Sequence, residues 1–459
     1  MKHIVIFFLT IMAVGVFAQE DKFSFSLKEA TDYALQHNKT ILNANQDIIL
    51  ANSQIREAKG VLYPQLNASM DYMTNFNYEF AFEFGGGSSD PPDIDYSVMD
   101  LGDYEVLNAI DQMFGSSEGS TIVMEDQANA NLQVSQLLFS GQAWIGVQMA
   151  KVGKKVVENK LVLTELDVRE NITSSYYLVL VTEELLRIIN NTKDNLNSIL
   201  KHTSDMYSAG LAEQTDVDQL KIQVSQIENS RKAMERNLQL NYNMMKFFMG
   251  IESADEIKLT DDLDIFVKNA EDESLHNMEL DLTNNPTYQI MLAQEEIGKK
   301  TVDMQQWAYA PTLSGFYNYK EKLLTTSFDM SPKNAAGLTL NLPLYSGGTK
   351  KSKLSQAKIE LDKISRNISL LEDQLALQDN QLSFELKSSY ENYITQKENI
   401  IIARRVYESI NNKYKQGLVS SLDLTQANTN YLQAENNYVS SILDLLQSKL
   451  KLDKLYNNL

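Results

Sequence analysis

Two patterns of apolar and polar residues divide this chain, and each occurs twice. After Pro64 mostly apolar or aromatic side chains take alternate positions, Leu66, Ala68, Met70, Tyr72, Thr74, Phe76, Tyr78, Phe80, Phe82 and Phe84, with Asn67, Ser69, Asp71, Asn75, Asn77, Glu79 and Glu83 between them. A period of two sustained this long predicts a strand with one apolar and one polar side. The alternation returns at Leu132, Val134 and Leu138, and again after Pro311 with Leu313, Tyr317 and Tyr319 set against Ser314, Asn318 and Lys320. A last run places Thr339 and Asn341 among Leu338, Leu340, Leu342 and Leu344. Four strands are therefore expected, at about 64–84, 128–139, 312–328 and 335–345.

Between and after the strands the period becomes helical. Gln142 to about Tyr207 contains no proline, and Lys350 to about Tyr414 matches it. A helix of that length extends about 100 Å at 1.5 Å per residue. Leu361, Ile364, Ile368, Leu371, Leu375 and Leu382 follow the 3–4 spacing of a left-handed coiled-coil seam, and Leu178, Leu185 and Ile199 keep step at multiples of seven. Each long helix runs into a glycine tip, Tyr207-Ser-Ala-Gly210-Leu211 or Tyr414-Lys-Gln-Gly417-Leu418, followed after four residues by Asp216 or Asp423. Glycine tolerates the left-handed backbone of a helix stop, so each tip turns the chain back into a return helix, from about Thr215 to Phe248 and from Ser421 to Tyr456.

The halves also begin alike. A short helix from Leu27 to Asn38 and a longer one from Lys39 to Val61 precede Pro64, while Asn285-Pro286-Thr287 opens a helix that runs to Tyr309 before Pro311. Asn38 to Asn285 and Pro64 to Pro311 are the same offset, the mark of an internal duplication. The expected organisation is a signal peptide over 1–18, a first repeat over 19–250, an acidic irregular equatorial connector over 251–284, and a second repeat over 285–459.

Composition narrows the function. Lys2 and His3 precede an apolar run, Ile4 to Phe17, that ends in the A-x-A-like Val16-Phe17-Ala18, a secretory signal too short for a stable transmembrane helix. The net charge of −20 argues against a nucleic-acid partner, and the absence of cysteine excludes both disulfides and a lipid-modified N-terminal cysteine. Residues 85–126 hold ten acidic residues and no Lys or Arg, which reads as a long exposed acidic loop without EF-hand spacing. The histidines stand in unrelated segments, and no metal-protease, phosphate-loop or nucleophile-elbow motif occurs. Met244, Met245 and Met249 beside Phe247 and Phe248 read as core. No enzyme, cofactor or metal is expected.

Four strands cannot close a barrel, since the smallest membrane barrels use about eight. Three chains contributing four each give twelve, with Tyr63, Phe139, Trp307, Tyr309 and Tyr345 as an interfacial belt at one end. The alternative is a half-buried sheet in a soluble domain, which leaves that belt unexplained.

Ser26-Leu27-Lys-Glu-Ala leading to Asn38, the strand ends Leu-Phe-Ser-Gly141 and Leu-Tyr-Ser-Gly347-Gly, and the two tips resemble the TolC-type outer-membrane efflux proteins across the mature chain. The resemblance implies a mixed α and β membrane protein, a homotrimer whose twelve-stranded barrel sits among outer-membrane lipid and continues into a periplasmic α-helical coiled-coil barrel. It implies partners too: a periplasmic adaptor protein, and an inner-membrane efflux pump or ABC transporter that supplies the energy. By motif position Thr215 and Asp216 match residues that hold the tunnel entrance shut, and Tyr414 matches their partner on the second tip. Tyr207, Gly210, Leu211, Gly417 and Leu418 match the surface that meets the adaptor. Asp423 joins Asp216 as an acid that can ring the constriction, which would raise its pKa, and can also cap a helix start, the two roles being compatible. Val419 stands where the best-known members place an arginine linking the tips, and Gln426 where a second acidic ring can occur. The expected function is a passive exit duct for small molecules. An outlet for secreted proteins is the alternative within the fold, and a structural periplasmic coiled coil or surface adhesin the alternative outside it.

Overall fold

The computed structural model describes residues 23–76, 78–82, 100–114, 120–273, 280–324 and 331–459; the expected signal peptide lies outside them. The first half runs β1 (Phe23–Phe25), α1 (Leu27–His37), α2 (Lys39–Gly60), β2 (Gln65–Met73), β3 (Tyr78–Phe82), α3 (Leu101–Phe114), β4 (Ser120–Met124), β5 (Gln127–Phe139), α4 (Gly141–Ser208) and α5 (Gln214–Met249). Then come β6 (Ile257–Leu259), α6 (Leu263–Glu273) and a 3-10 turn, Leu282–Asn284. The second half runs α7 (Pro286–Trp307), β7 (Thr312–Lys322), β8 (Asn334–Asn341), α8 (Thr349–Lys415) and α9 (Ser421–Leu455). Contacts group the chain into two compact units that both draw on each half: residues through Ser53 with Ala150–Lys299 and Lys358–Leu459, and Gln54–Met149 with Lys300–Ala357.

In the larger unit the first half closes on a core of Ala30, Ala34, Ile41, Ile172, Tyr176, Val179, Met245 and Met249. Two of the three methionines expected in the core are there, and Met244 is exposed. The start of each half is tied to the end of its return helix by a buried asparagine. Asn38 accepts from the Thr40 N–H at 2.8 Å and donates to the Phe248 carbonyl at 2.6 Å. Asn285 accepts from Thr287 and Tyr288 at 3.0 and 3.2 Å and donates to the Leu455 carbonyl at 3.2 Å. An asparagine has one acceptor and two donors, which is what a residue joining a helix start to a helix end requires.

The connector is more regular than its acidic composition indicated. β6 pairs in parallel with β1, and α6 buries Val267 and Ala270 against Tyr393, Ile442 and Leu445 of α8 and α9. Its anchor is Asp261, which accepts the Leu27 N–H at the start of α1 at 2.7 Å and lies 3.1 Å from the fully buried Tyr176 hydroxyl. That hydroxyl is also 3.1 Å from the Phe25 carbonyl, so the segment's polarity is spent on tertiary bonds rather than on solvent.

The smaller unit holds a four-stranded antiparallel sheet in the order β2-β5-β7-β8. Its register places Leu66, Val134, Tyr317 and Ala336 in one row and Asn67, Gln133, Asn318 and Ala335 in the next, so the faces separate as the alternation requires. On the polar face Asp71 accepts from the side chains of Asn129 and Asn131 at 2.9 and 2.5 Å. On the apolar face Leu66, Met70, Tyr72, Leu338 and Leu340 are exposed in the single chain. The glycine of the Leu-Phe-Ser-Gly141 strand end is there for close approach, since a Cβ on it would lie 2.1 Å from the Trp307 indole.

Three strand expectations change. The run expected over 64–84 is two strands, because the chain breaks at Phe76, whose φ is +50°, and the break is held by Asp126, which accepts the Tyr72 hydroxyl at 2.7 Å and the Asn75 N–H at 3.3 Å. β3 then pairs with β4 as a separate ribbon. The third strand, expected to 328, ends at Lys322, and 325–330 lie outside the described residues. The fourth ends at Asn341 rather than 345, since Pro343 has no N–H for a ladder. Within the expected loop 85–126, α3 starts where Asp100 accepts the N–H groups of Gly102 and Asp103 at 2.8 and 3.1 Å. Residues 83–99 and 115–119 lie outside the described residues.

Removing the Tyr176 hydroxyl tests the connector's anchor. Tyr176→Phe is expected to lower stability by about 1–3 kcal/mol, read as a lowered thermal or denaturant midpoint of the helical signal. An unchanged midpoint would show that the anchor lies elsewhere.

Candidate functional site: the two helical tips

Both tips are built by the same local chemistry. Gly210 and Gly417 have φ of +71° and +72°, and the following leucines return their N–H groups to the helix, Leu211 to the Met206 carbonyl at 2.8 Å and Leu418 to Lys413 at 3.0 Å. These are the 6→1 bonds of a Schellman stop, which satisfy the last carbonyls of α4 and α8. The leucines are left projecting, 73% and 68% exposed.

The acids then start the return helices. The Asp216 carboxylate takes the Glu213 N–H at 3.2 Å through Oδ2. Asp423 takes the Ser420 N–H at 3.1 Å and its hydroxyl at 2.7 Å, both through Oδ2, and Ser420 Oγ accepts the Asp423 N–H at 3.2 Å. The capping role of these acids is thus realised in both copies. Bonds from the Ser420 hydroxyl and backbone hold the Asp423 carboxyl below its usual range.

The tips share two side-chain hydrogen bonds and an apolar cluster. Asp216 Oδ1 accepts from the Ser421 hydroxyl, joining the start of α5 to the start of α9. Tyr414 is buried against α4, its hydroxyl 2.6 Å from Thr203 Oγ1. Thr203 already donates to the Ile199 carbonyl at 2.9 Å, so Tyr414 is the donor in that pair. Around them Ile199, Leu220, Tyr407, Leu424 and Ala427 form one buried cluster, with Val419 and Tyr431 packed against it.

Of the four residues expected at a gate, Asp216 and Tyr414 reach the opposite tip, through Ser421 and Thr203 and not through each other. Thr215 bonds only along its own tip, to Glu213 at 3.1 Å, and Asp423 to Ser420. Thr203 and Ser421 were missed by the sequence reading. The signal for Thr203 was a hydroxyl continuing the buried stripe Leu196, Ile199. Ser421 carries no comparable pattern. The tips also differ in charge: Asp205, Glu213, Asp216 and Asp218 surround the first, and Lys413 and Lys415 end the helix before the second.

Among the described residues no group of His, Asp and Glu side chains could hold a metal ion, and no helix is long and apolar enough to cross a membrane. The latter says nothing of a β-barrel.

The outer membrane efflux protein family model matches residues 30–250 and 278–458. The outer membrane protein TolC of Vibrio cholerae is 22% identical over 342 residues, 70% of this chain and 76% of that protein. The outer membrane protein VceC from Vibrio cholerae superposes with a TM-score of 0.69 at 16% identity, covering 94% of this chain and 96% of that one. The CmeC outer membrane channel of Campylobacter jejuni gives 0.69 at 15% identity, covering 94% and 85%. With most of both halves inside the family match, the chain belongs to the outer membrane efflux proteins, TolC-like channels of the outer membrane with a helical periplasmic body.

Proposed function

We propose that the chain is one subunit of a homotrimeric exit duct. Small molecules delivered by an inner-membrane pump through a periplasmic adaptor pass along it without any bond being broken. The observation that carries this reading is the four-stranded sheet. One of its faces is apolar and exposed, and among the described residues β2 and β8 each have a single strand neighbour. An open sheet with two free edges and a greasy face is a liability in water, and closure into a twelve-stranded barrel within lipid resolves both problems. The tips serve as gate and docking surface. Leu211, Leu418 and Tyr207 offer the adaptor exposed apolar contacts, and Asp216–Ser421 with Tyr414–Thr203 favour the closed arrangement. Adaptor binding draws the population toward the open state.

Two measurements bear on this reading. Asp216→Ala combined with Tyr414→Phe removes both hydrogen bonds between the tips and is expected to raise single-channel conductance in planar bilayers. Unchanged conductance would sink the gate assignment. The second concerns acid. Because the folded pKa of Asp423 lies below its unfolded value, its cap contributes fully above the ordinary carboxylate pKa of about 3.9 and is lost as pH falls through the folded value. Amide exchange over residues 418–424, corrected for intrinsic rates, is expected to accelerate below about pH 3.9. Ser420→Ala removes the largest cause of the lowered carboxyl and should shrink that acid-induced acceleration, and an acceleration of unchanged size would remove Ser420 as its cause.

A further inference from the structure

The smaller unit holds a cavity of about 700 Å³ where β5 gives way to α4 and α7 gives way to β7. Leu138, Phe139, Trp144, Gln148, Lys300 and Trp307 are among its lining residues. Sheet register fixes the face on which it opens. Phe139 pairs with Leu313, which shares its face with Gly315 and Tyr317. A Cβ on Gly315 would lie 3.5 Å from Leu138 and 3.4 Å from Leu338. Leu138 and Phe139 therefore extend the exposed apolar face of the sheet to the first turn of α4.

The lining is graded in polarity. Gly141 and Trp307 stand at one level, in the close approach described above. From that level α4 runs seven residues onward to Gln148, and α7 runs seven residues back to Lys300. Both positions lie two turns, about 10 Å, from the level of the indole. Leucine, phenylalanine and two indoles thus occupy the end beside the sheet, and an amide and an ammonium the end away from it.

The polar groups are uncommitted. The Gln148 amide and both indole N–H groups have no hydrogen-bond partner among the described residues. Lys300 Nζ is 3.7 Å from Asp303, too far for a hydrogen bond, and keeps its three N–H donors. Donors without acceptors, set beyond an apolar cleft that continues the sheet's greasy face, call for an anion carrying a long apolar tail. A soluble phosphate would leave the leucine and aromatic lining bare, and a plain hydrocarbon would leave the ammonium and amide bare. An aromatic belt by itself orients a protein in a bilayer and needs neither a cavity nor a cation behind it.

We propose that the cavity seats one glycerophospholipid of the membrane leaflet nearest the helices, its phosphate held by Lys300 and Gln148 and one acyl chain lying along Trp144, Trp307, Phe139 and Leu138. This rests on the reading of the sheet as part of a lipid-embedded barrel and adds to it a resident lipid at each chain.

Trp144 and Trp307 are the chain's two tryptophans, so its indole emission comes entirely from this cavity. The full-length protein is reconstituted in phosphatidylcholine vesicles that carry a small fraction of a guest lipid brominated on its acyl chains, either phosphatidylglycerol or diacylglycerol. Brominated phosphatidylglycerol is expected to quench about fivefold more strongly than the diacylglycerol, the preference that one basic side chain gives an anionic lipid. Lys300→Gln should abolish that preference and Lys300→Arg should keep it. Equal quenching by the two guests, or a preference that survives Lys300→Gln, would overturn the proposal and leave the duct standing, the lipid at the sheet then being bulk bilayer. No quenching by either guest would put both indoles outside the bilayer and overturn the barrel's placement together with the site.

Discussion

Two buried carboxamides fix where everything else in the chain begins. Asn38 and Asn285 each hold the first N–H groups of a helix and a carbonyl at the end of a helix more than 160 residues away. A helix end leaves several backbone groups without partners, and burying them is expensive unless something supplies the missing half of each bond. One amide side chain satisfies both ends at once. It does so twice, at equivalent positions, so each half is tied at its root before its strands and tip depart.

From those roots the halves run in parallel as far as the sheet and the tips, and there they interlock. The antiparallel pairs β2-β5 and β7-β8 are joined at β5-β7, and most aromatic and aliphatic positions of the four strands fall on one face, Phe316 standing with Ser135 on the other. A face of that kind does not define a folded soluble surface, and its edges carry unpaired backbone groups. The helical unit shows the same incompleteness in milder form. Tyr414 and Ile199 are covered by the neighbouring hairpin, and their mates Tyr207 and Val406 are not. Duplication therefore gives the chain two surfaces of each kind and lets it satisfy only one.

Among the described residues the tips are joined without an ion pair. With valine at 419, the joining of the hairpins falls to a serine hydroxyl on an already capped carboxylate and to a tyrosine that donates to a buried threonine. Neutral donors are less screened by salt than an exposed ion pair would be. Asp216 also caps the start of α5, so local folding of the first tip and its joining to the other draw on the two oxygens of one carboxylate.

Local periodicity and chain geometry alone determined most of the architecture. The strand alternation, the long proline-free helices, the glycine stops and the repeated asparagines depend only on which face a residue occupies and which backbone angles it tolerates, and all were legible along the chain. The tertiary structure decided what depends on distant partners. Asp126 breaks the first strand at Phe76, Asp261 and Tyr176 give the acidic connector its order, and Ser421 and Thr203 take the contacts expected to join Asp216 with Tyr414. A hydroxyl or carboxylate has the same appearance in a sequence whatever it bonds to. Its role is fixed only when folding brings a particular donor within about 3 Å.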